Sequence, residues 1–297
     1  MIWIPITIAA AAFQVARNAA QRSVMGGAGP WGATLVRFLF GLPFATVFAA
    51  VAWLATPGAV AHATPWFWLA CVAGAALQIC GTAAQLTAMH RSSFALGTAL
   101  QQSGLPFALV WGVLLFGDKV SAVTWIGGLI ATAGLAVLTW PRGDGPEGAT
   151  PLRRGAVTAG LASGAAFALC ANCFRQASLA FEPAHPVVSA LVTVMVVQAI
   201  QSAALTAFLA ARNPDALVEV VKAWRRSLGA GFCGAAASGL WFTAMAFSPV
   251  GPVRAVGVVE MPLAALAGRR LFAERLTRVQ MLFGLIVAVG VAMAALG

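Results

Sequence analysis

The stretch GLPFALVWGVLLFGDKVSAVTWIGGLIATAGLA (residues 104–136) is met a second time as EMPLAALAGRRLFAERLTRVQMLFGLIVAVGVA (residues 260–292). Laid over each other without gaps, the two share Pro106/Pro262, Ala108/Ala264, Gly112/Gly268, Leu115/Leu271, Phe116/Phe272 and Gly134/Gly290, among others. The polar turn keeps its residue types: Asp118-Lys119-Val120-Ser121 faces Glu274-Arg275-Leu276-Thr277. Working outward at the same offset, Thr87-Ala88-Met89 meets Thr243-Ala244-Met245, and Pro30, Leu35 and Val36 meet Pro186, Leu191 and Val192. A slightly smaller offset matches Phe13 and Asn18 to Phe167 and Asn172. The chain reads as a tandem duplication, with residues 1–145 as the first copy and 146–297 as the second.

Composition names the solvent. Hydrophobic residues make up 61% of the chain and charged ones 9%, against about a quarter charged in soluble globular domains. A mean hydropathy of +0.89 requires an apolar medium on most faces, so the lipid bilayer is the expected partner. The net charge of +10 is spread over connectors as single and paired cations, a juxtamembrane pattern rather than a nucleic-acid footprint. Cys71, Cys80, Cys170, Cys173 and Cys233 fall in apolar stretches. With no second ligand pair or nearby His, Cys170-x-x-Cys173 reads as buried small side chains rather than a metal or redox site. The pattern of residues 2–24 returns in 157–179, so the first apolar run reads as a retained helix and not as a signal peptide.

Apolar stretches of about 20 residues predict ten helices, near 2–24, 31–54, 66–89, 93–116, 121–140, 155–179, 186–211, 228–247, 250–272 and 278–296. Five spans per copy is an odd number, so the second copy enters the membrane from the opposite side. The fold class expected is an all-α polytopic membrane protein of ten transmembrane helices in two inverted-topology repeats, an architecture common among secondary transporters. Connectors after odd-numbered spans carry most of the cations, among them Arg22, Arg91, Arg153, Arg154, Arg225 and Arg269; those after even-numbered spans carry Lys119 and Arg175. The positive-inside rule then places both termini on the periplasmic side of a bacterial inner membrane. Asn213-Pro214-Asp215 predicts a helix start, and Leu217, Val220, Val221 and Trp224 at helical spacing predict a short amphipathic connector or interfacial helix.

Leu115-Phe116-Gly117-Asp118-Lys119-Val120-Ser121, followed by Gly127-Gly128-Leu129-Ile130, resembles the signature after the fourth helix of EamA-type proteins of the drug/metabolite transporter superfamily. Leu271-Phe272-Ala273-Glu274-Arg275-Leu276-Thr277, with Gln280, Gly284 and Gly290, is similar to its second copy. The resemblance extends over the whole chain in span count and duplication. It implies a ten-helix carrier exporting small metabolites, with a central cavity lined largely by helices 1, 3, 4, 6, 8 and 9. The YddG-like exporters of aromatic and other amino acids are the branch it suggests. Many members are drawn with both termini cytoplasmic, and the cation count here argues the reverse.

Glu260 is the one acid expected inside a span, about ten residues into helix 9. A charge there costs about 2.5–3.5 kcal/mol on insertion scales, so it needs water, a proton or a partner. Two readings stand: a pathway residue meeting a substrate ammonium or carrying a coupling proton, or a structural pair with an arginine of another helix. Arg254, six residues earlier, is about 240° around the helix from it. It reads as an interfacial anchor or as a group facing a substrate carboxylate, and Arg37 as an interfacial anchor. Gly74, Gln78, Gly81 and Gln85 share one face of helix 3, either a polar cavity wall or a close-packed hydrogen-bonded seam. The repeat sets Gly234, Ala237 and Trp241 on the equivalent face of helix 8. Thr98, Gln101, Gln102, Gln14, Asn18 and Asn172 are further polar candidates. Pro106 and Pro262 match in the repeat and predict kinks at which a gate could hinge. Gly160-x-x-x-Gly164 reads as a packing face.

His62, His90 and His185 are expected in connectors, and no phosphate loop, metal cluster or nucleophile triad is visible. Helices 1 and 6 hold no acid, unlike the small multidrug exporters of the superfamily, which rely on a first-helix glutamate. The sequence therefore predicts a monomeric carrier without cofactor, and not an enzyme. A small-molecule substrate is expected, amino acids first, with efflux of cationic drugs or quaternary ammonium compounds as the alternative.

Overall fold

The computed structural model describes residues 2–101, 103–116, 121–139, 154–273 and 278–296. These residues form helices and short turns, with no strand among them. In chain order the helices are α1 (Trp3–Leu39), α2 (Leu42–Leu54), α3 (Pro65–Arg91), α4 (Phe94–Gln101), α5 (Gly104–Phe116), α6 (Ala122–Thr139) and α7 (Arg154–Phe181). There follow α8 (Pro186–Arg212), α9 (Pro214–Lys222), α10 (Trp224–Phe247), α11 (Val250–Val256), α12 (Glu260–Phe272) and α13 (Arg278–Leu296). Among the described residues, seven segments are long and apolar enough to cross a membrane: Ala28–Leu54, Pro65–Arg91, Leu96–Leu115, Arg154–Phe181, Pro186–Arg212, Trp224–Phe247 and Val250–Phe272. Large apolar side chains such as Leu54, Leu69, Leu114, Leu129 and Leu285 stand exposed on the outside. Such surface suits hydrocarbon rather than water, and the fold is that of an all-helical, membrane-embedded protein.

The other three expected spans are helical too, but differ in character. The first is interrupted by Gln14, Arg17, Asn18, Gln21 and Arg22, and within α6 and α13 the apolar runs are Ala122–Ala131 and Met281–Gly290. The turn motifs at 117–120 and 274–277, the 140–153 linker with its copy boundary, and Gln102 lie outside the described residues.

Helix breaks fall where backbone chemistry demands them. The expected connector at Gly26-Gly27 is absent, because α1 runs on to Gly29, whose φ of 65° and ψ of 179° belong to a region essentially reserved for glycine. Pro30 then opens the next arm, residues 30–39. Expected helix 4 is two helices, α4 and α5, with a turn at Ser103 shortly before Pro106, which has no N–H to give to a helix. Expected helix 9 breaks in the same way: a 3-10 turn at Gly257–Val259 precedes α12, with Pro262 at its third residue. Arg22, Arg175 and His90, read as connector residues, lie inside α1, α7 and α3. Arg22 stacks its guanidinium 4.4 Å from the centre of the Phe272 ring.

The amphipathic connector is present as α9, capped by Asn213, whose side chain accepts from the Ala216 N–H at 3.2 Å. Its Ala216 and Val220 are buried with Leu35, Phe38 and Leu209, while Val221 and the following Trp224 remain exposed.

The most extensive packing joins α3 to α7, α1 to α10, α6 to α13, and α2 to α8. Small residues permit the close approaches. A Cβ on Gly74 would strike the Phe174 ring, and one on Gly231 the Phe40 carbonyl. Gly160 and Gly164 press α7 onto Leu100 and onto the α4–α5 break. A Cβ at Gly164 would lie 2.8 Å from the Gly104 nitrogen and closer still to the Ser103 hydroxyl. Gly164→Val should therefore lower stability by about 1–3 kcal/mol through overpacking; thermal unfolding in detergent micelles reads it, and an unchanged melting temperature would show that the break can give way.

At one end of the bundle a single carboxylate ties two connectors together. Glu182, 4% exposed, accepts from the Val60 N–H at 2.6 Å and the Ala184 N–H at 3.2 Å, with His185 Nδ1 at 3.4 Å. Beside it, the His62 N–H donates to the Phe181 carbonyl at 3.0 Å. The Val60 N–H above all, then the His185 and Ala184 contacts, outweigh desolvation and hold the Glu182 carboxyl below its usual range. A carboxyl with a depressed folded-state pKa supports the fold at neutral pH, and that support is lost as pH falls through the lowered value. Hydrogen exchange at the Val60 amide, corrected for intrinsic rate, should stay slow from about pH 7 to 5 and quicken well below about pH 4. In Glu182→Gln that acid step should be missing.

Candidate functional site

Inside the bundle the polar residues that interrupt the apolar helices are gathered rather than scattered. On α1, Gln14 Nε2 donates to Glu260 Oε1 of α12 at 2.6 Å. One turn on, Arg17 donates from Nε and Nη2 to Asn18 Oδ1 at 3.1 and 2.5 Å. Arg17 is 1% exposed and Glu260 also 1%, and the two act on each other electrostatically. Glu260 is thus tied to α1 through Gln14, with the Arg17 guanidinium within its electrostatic reach.

Arg37 is not the interfacial anchor that its position near a helix end suggested. It is 2% exposed, donating from Nη1 to Thr82 Oγ1 at 3.0 Å and from Nη2 to Ser238 Oγ at 3.2 Å. Arg37 lies two turns beyond the Gly29 kink, on the second arm of α1, and its guanidinium reaches between α3 and α10 rather than out to an interface.

Arg254, on α11, reaches Phe167 O at 3.1 Å through Nη2 and lies 5.6 Å from the Trp241 ring centre. Trp241 is 6% exposed and is pressed against Gly257, where a Cβ would meet its ring.

The predicted glutamines of α3 pair with other glutamines. Gln201 Nε2 of α8 donates to Gln78 Oε1 at 2.8 Å, and Gln85 donates to Gln101 of α4. Gly81 packs on Ala166 and Phe167 of α7, and its carbonyl accepts from Ser163 at 2.9 Å. The glycine half of this face is thus a packing seam, and Gln78 carries the cavity wall. Thr98 turns back to the Phe94 carbonyl at 3.0 Å, and Asn172 to the Ala168 carbonyl at 3.1 Å. Asn18 and Asn172, paired by the repeat, therefore do different things. Pro106 and Pro262 stand at the two breaks.

Gln14, Arg37, Gln78, Gln101, Trp241 and Arg254 line one cavity of about 30 Å³, together with Phe167, Phe174, Phe242 and Met245. Phe174 and Phe242 stack with ring centres 4.4 Å apart. That volume accommodates one or two waters, so in this conformation the site is too small for a solute of amino-acid size.

No family model matches the chain, and no curated protein matches it. Solved structures do. One crystal structure of a protein superposes with a TM-score of 0.60 at 17% sequence identity, over 97% of this chain and 95% of that one. The likeness is one of fold.

Sequence reading overlooked Arg17 and the α8 glutamines. Gln14, Arg17, Asn18 and Gln21 fall at i, i+3, i+4 and i+7, a polar stripe on one helix face. That spacing was the available signal. Gln198 and Gln201 mark a similar stripe on α8, both 2% exposed or less.

Removing one member of a buried charge pair leaves the other uncompensated and costs about 3–5 kcal/mol. Glu260→Gln should therefore destabilise the fold, and adding Arg17→Gln should recover part of the loss. A double-mutant cycle by thermal unfolding measures this, and simple additivity would deny the coupling.

Proposed function

We propose that this chain is a secondary transporter exporting small metabolites, amino acids first, by alternating access through the central cavity. The observation that carries the reading is that cavity: arginines, glutamines and a tryptophan among apolar helices, beside two helices interrupted at Ser103 and at Gly257–Val259. Ionisable groups inside a membrane bundle mark substrate or ion pathways, and discontinuous helices at mid-depth are where carriers place their sites.

Ten spans in two inverted copies complete the proposal. Its support is the packing: exchanging the copies turns the α1–α10 pair into the α7–α3 pair and returns α2–α8 and α6–α13 to themselves. A chain of this kind belongs with the EamA-type exporters of the drug/metabolite transporter superfamily, works as a monomer in a bacterial inner membrane, and carries out no covalent chemistry. The cation bias places both termini on the periplasmic side. Arg37 and Arg254 on the cavity wall favour carboxylate-bearing substrates over the cationic drugs of the alternative reading.

Counterflow in proteoliposomes of the purified protein tests the proposal. Saturable exchange of labelled amino acids is expected, with no exchange of quaternary ammonium dyes. Dye exchange alone would replace the substrate class, and no exchange of either would remove the transport reading.

A further inference from the structure

The cavity's unmet hydrogen-bonding capacity has a sign. Among the described lining residues, the buried side-chain atoms left without a partner are Arg37 Nε, Arg254 Nε and Trp241 Nε1. All three are N–H donors, and none can act as an acceptor. Each unmet donor in a low-dielectric interior costs free energy until something accepts from it. The formal charges lean the same way. Arg17 and Arg37 are buried and Arg254 partly so, whereas Glu260 is the one acid buried within a span among the described residues, and it accepts from Gln14 and lies in the field of Arg17. An excess of buried guanidinium over carboxylate is relieved by an anion. An entering ammonium would add donors and positive charge to a site already rich in both.

We infer that the cavity is a carboxylate-binding site in which Arg37, Arg254 and the Trp241 N–H converge on an anionic oxygen pair, while Phe174, Phe242 and the Trp241 ring hold a planar apolar body. The ligand class is organic carboxylates with an aromatic or similarly flat side chain, and an α-ammonium group takes no part in recognition. This deepens the export reading and rests on it only for the direction of flow, because occupancy of the site can be read without transport. Guanidinium groups suit the role, since a fork of N–H donors matches the two oxygens of a carboxylate. A volume that holds one or two waters must widen before such a ligand enters.

The test is binding to the purified full-length protein in nanodiscs, read by ligand-induced thermal shift and by tryptophan fluorescence. The probes are 3-phenylpropanoate, phenylalanine and phenethylamine, which share the ring and differ in charge. The expected result is that 3-phenylpropanoate and phenylalanine bind with dissociation constants within about threefold of each other while phenethylamine does not bind. Losing one charge-assisted contact should weaken both acids by about tenfold or more. Arg254→Gln should show that loss and Arg254→Lys only part of it. Arg37→Gln makes the same measurement if it folds, and Arg254 decides if it does not. The inference is overturned if phenethylamine binds as well as the acids, if phenylalanine binds and 3-phenylpropanoate does not, if neither acid binds, or if Arg254→Gln binds both acids normally. Binding without counterflow would sink the transport reading and leave the site standing. Counterflow indifferent to Arg254→Gln would do the opposite.

Discussion

The guanidinium groups of Arg17 and Arg37 and the Glu260 carboxylate are buried inside an apolar helical bundle, and their solvation is the constraint around which the rest of the interior is organised. A charged side chain at such depth is tolerated only with partners or polar surroundings. Arg17 has Asn18 and the field of Glu260; Glu260 has Gln14; Arg37 has Thr82 and Ser238. These partners come from α1, α3, α10 and α12, so meeting the charges fixes how those helices face each other. Apolar burial supplies most of the cohesion, yet it is indifferent to rotation of one helix about its axis. The polar contacts are not indifferent, and they give the bundle a single register.

Glycine completes the arrangement. Gly164 and Gly231 let helix backbones approach closely, and Gly74 and Gly81 make room for the Phe174 and Phe167 rings. The Phe174–Phe242 stack fills the space that the approaching backbones leave beside the arginines.

Much of this was legible in the sequence, unevenly. Apolar length located the helices because the bilayer sets a minimum span whatever the tertiary detail. Prolines located the breaks in expected helices 4 and 9, since a missing N–H acts locally. The same local reasoning failed at Gly26-Gly27, where two glycines suggested a connector and the chain instead stays helical to Gly29. Arg37 reads from the sequence as an interfacial anchor because it is near a predicted helix start, although it lies in the core. Partners were the least legible part. Gln78 and Gln85 stood out as polar, but that they meet Gln201 and Gln101 depends on helix rotation, which span-length analysis does not address. Asn18 and Asn172 show the limit of repeat arguments: matched positions diverged into an arginine acceptor and a bond back to the helix's own backbone.

The pairing of helices across the chain has a consequence in time. The broad face of α3, with its glycines at 74 and 81, is covered by α7, and the buried face of α1 by α10. Synthesis runs from the amino end, so α1 and α3 are in the membrane well before the helices that cover them exist. Throughout that interval Arg17, Arg37 and Gln78 lack their distal partners, and lipid can offer few substitutes. Biogenesis must therefore hold the early helices beside water or beside the insertion machinery until residues beyond 154 arrive. The polar seam that fixes the finished register is also what makes the half-made chain costly to release into the bilayer.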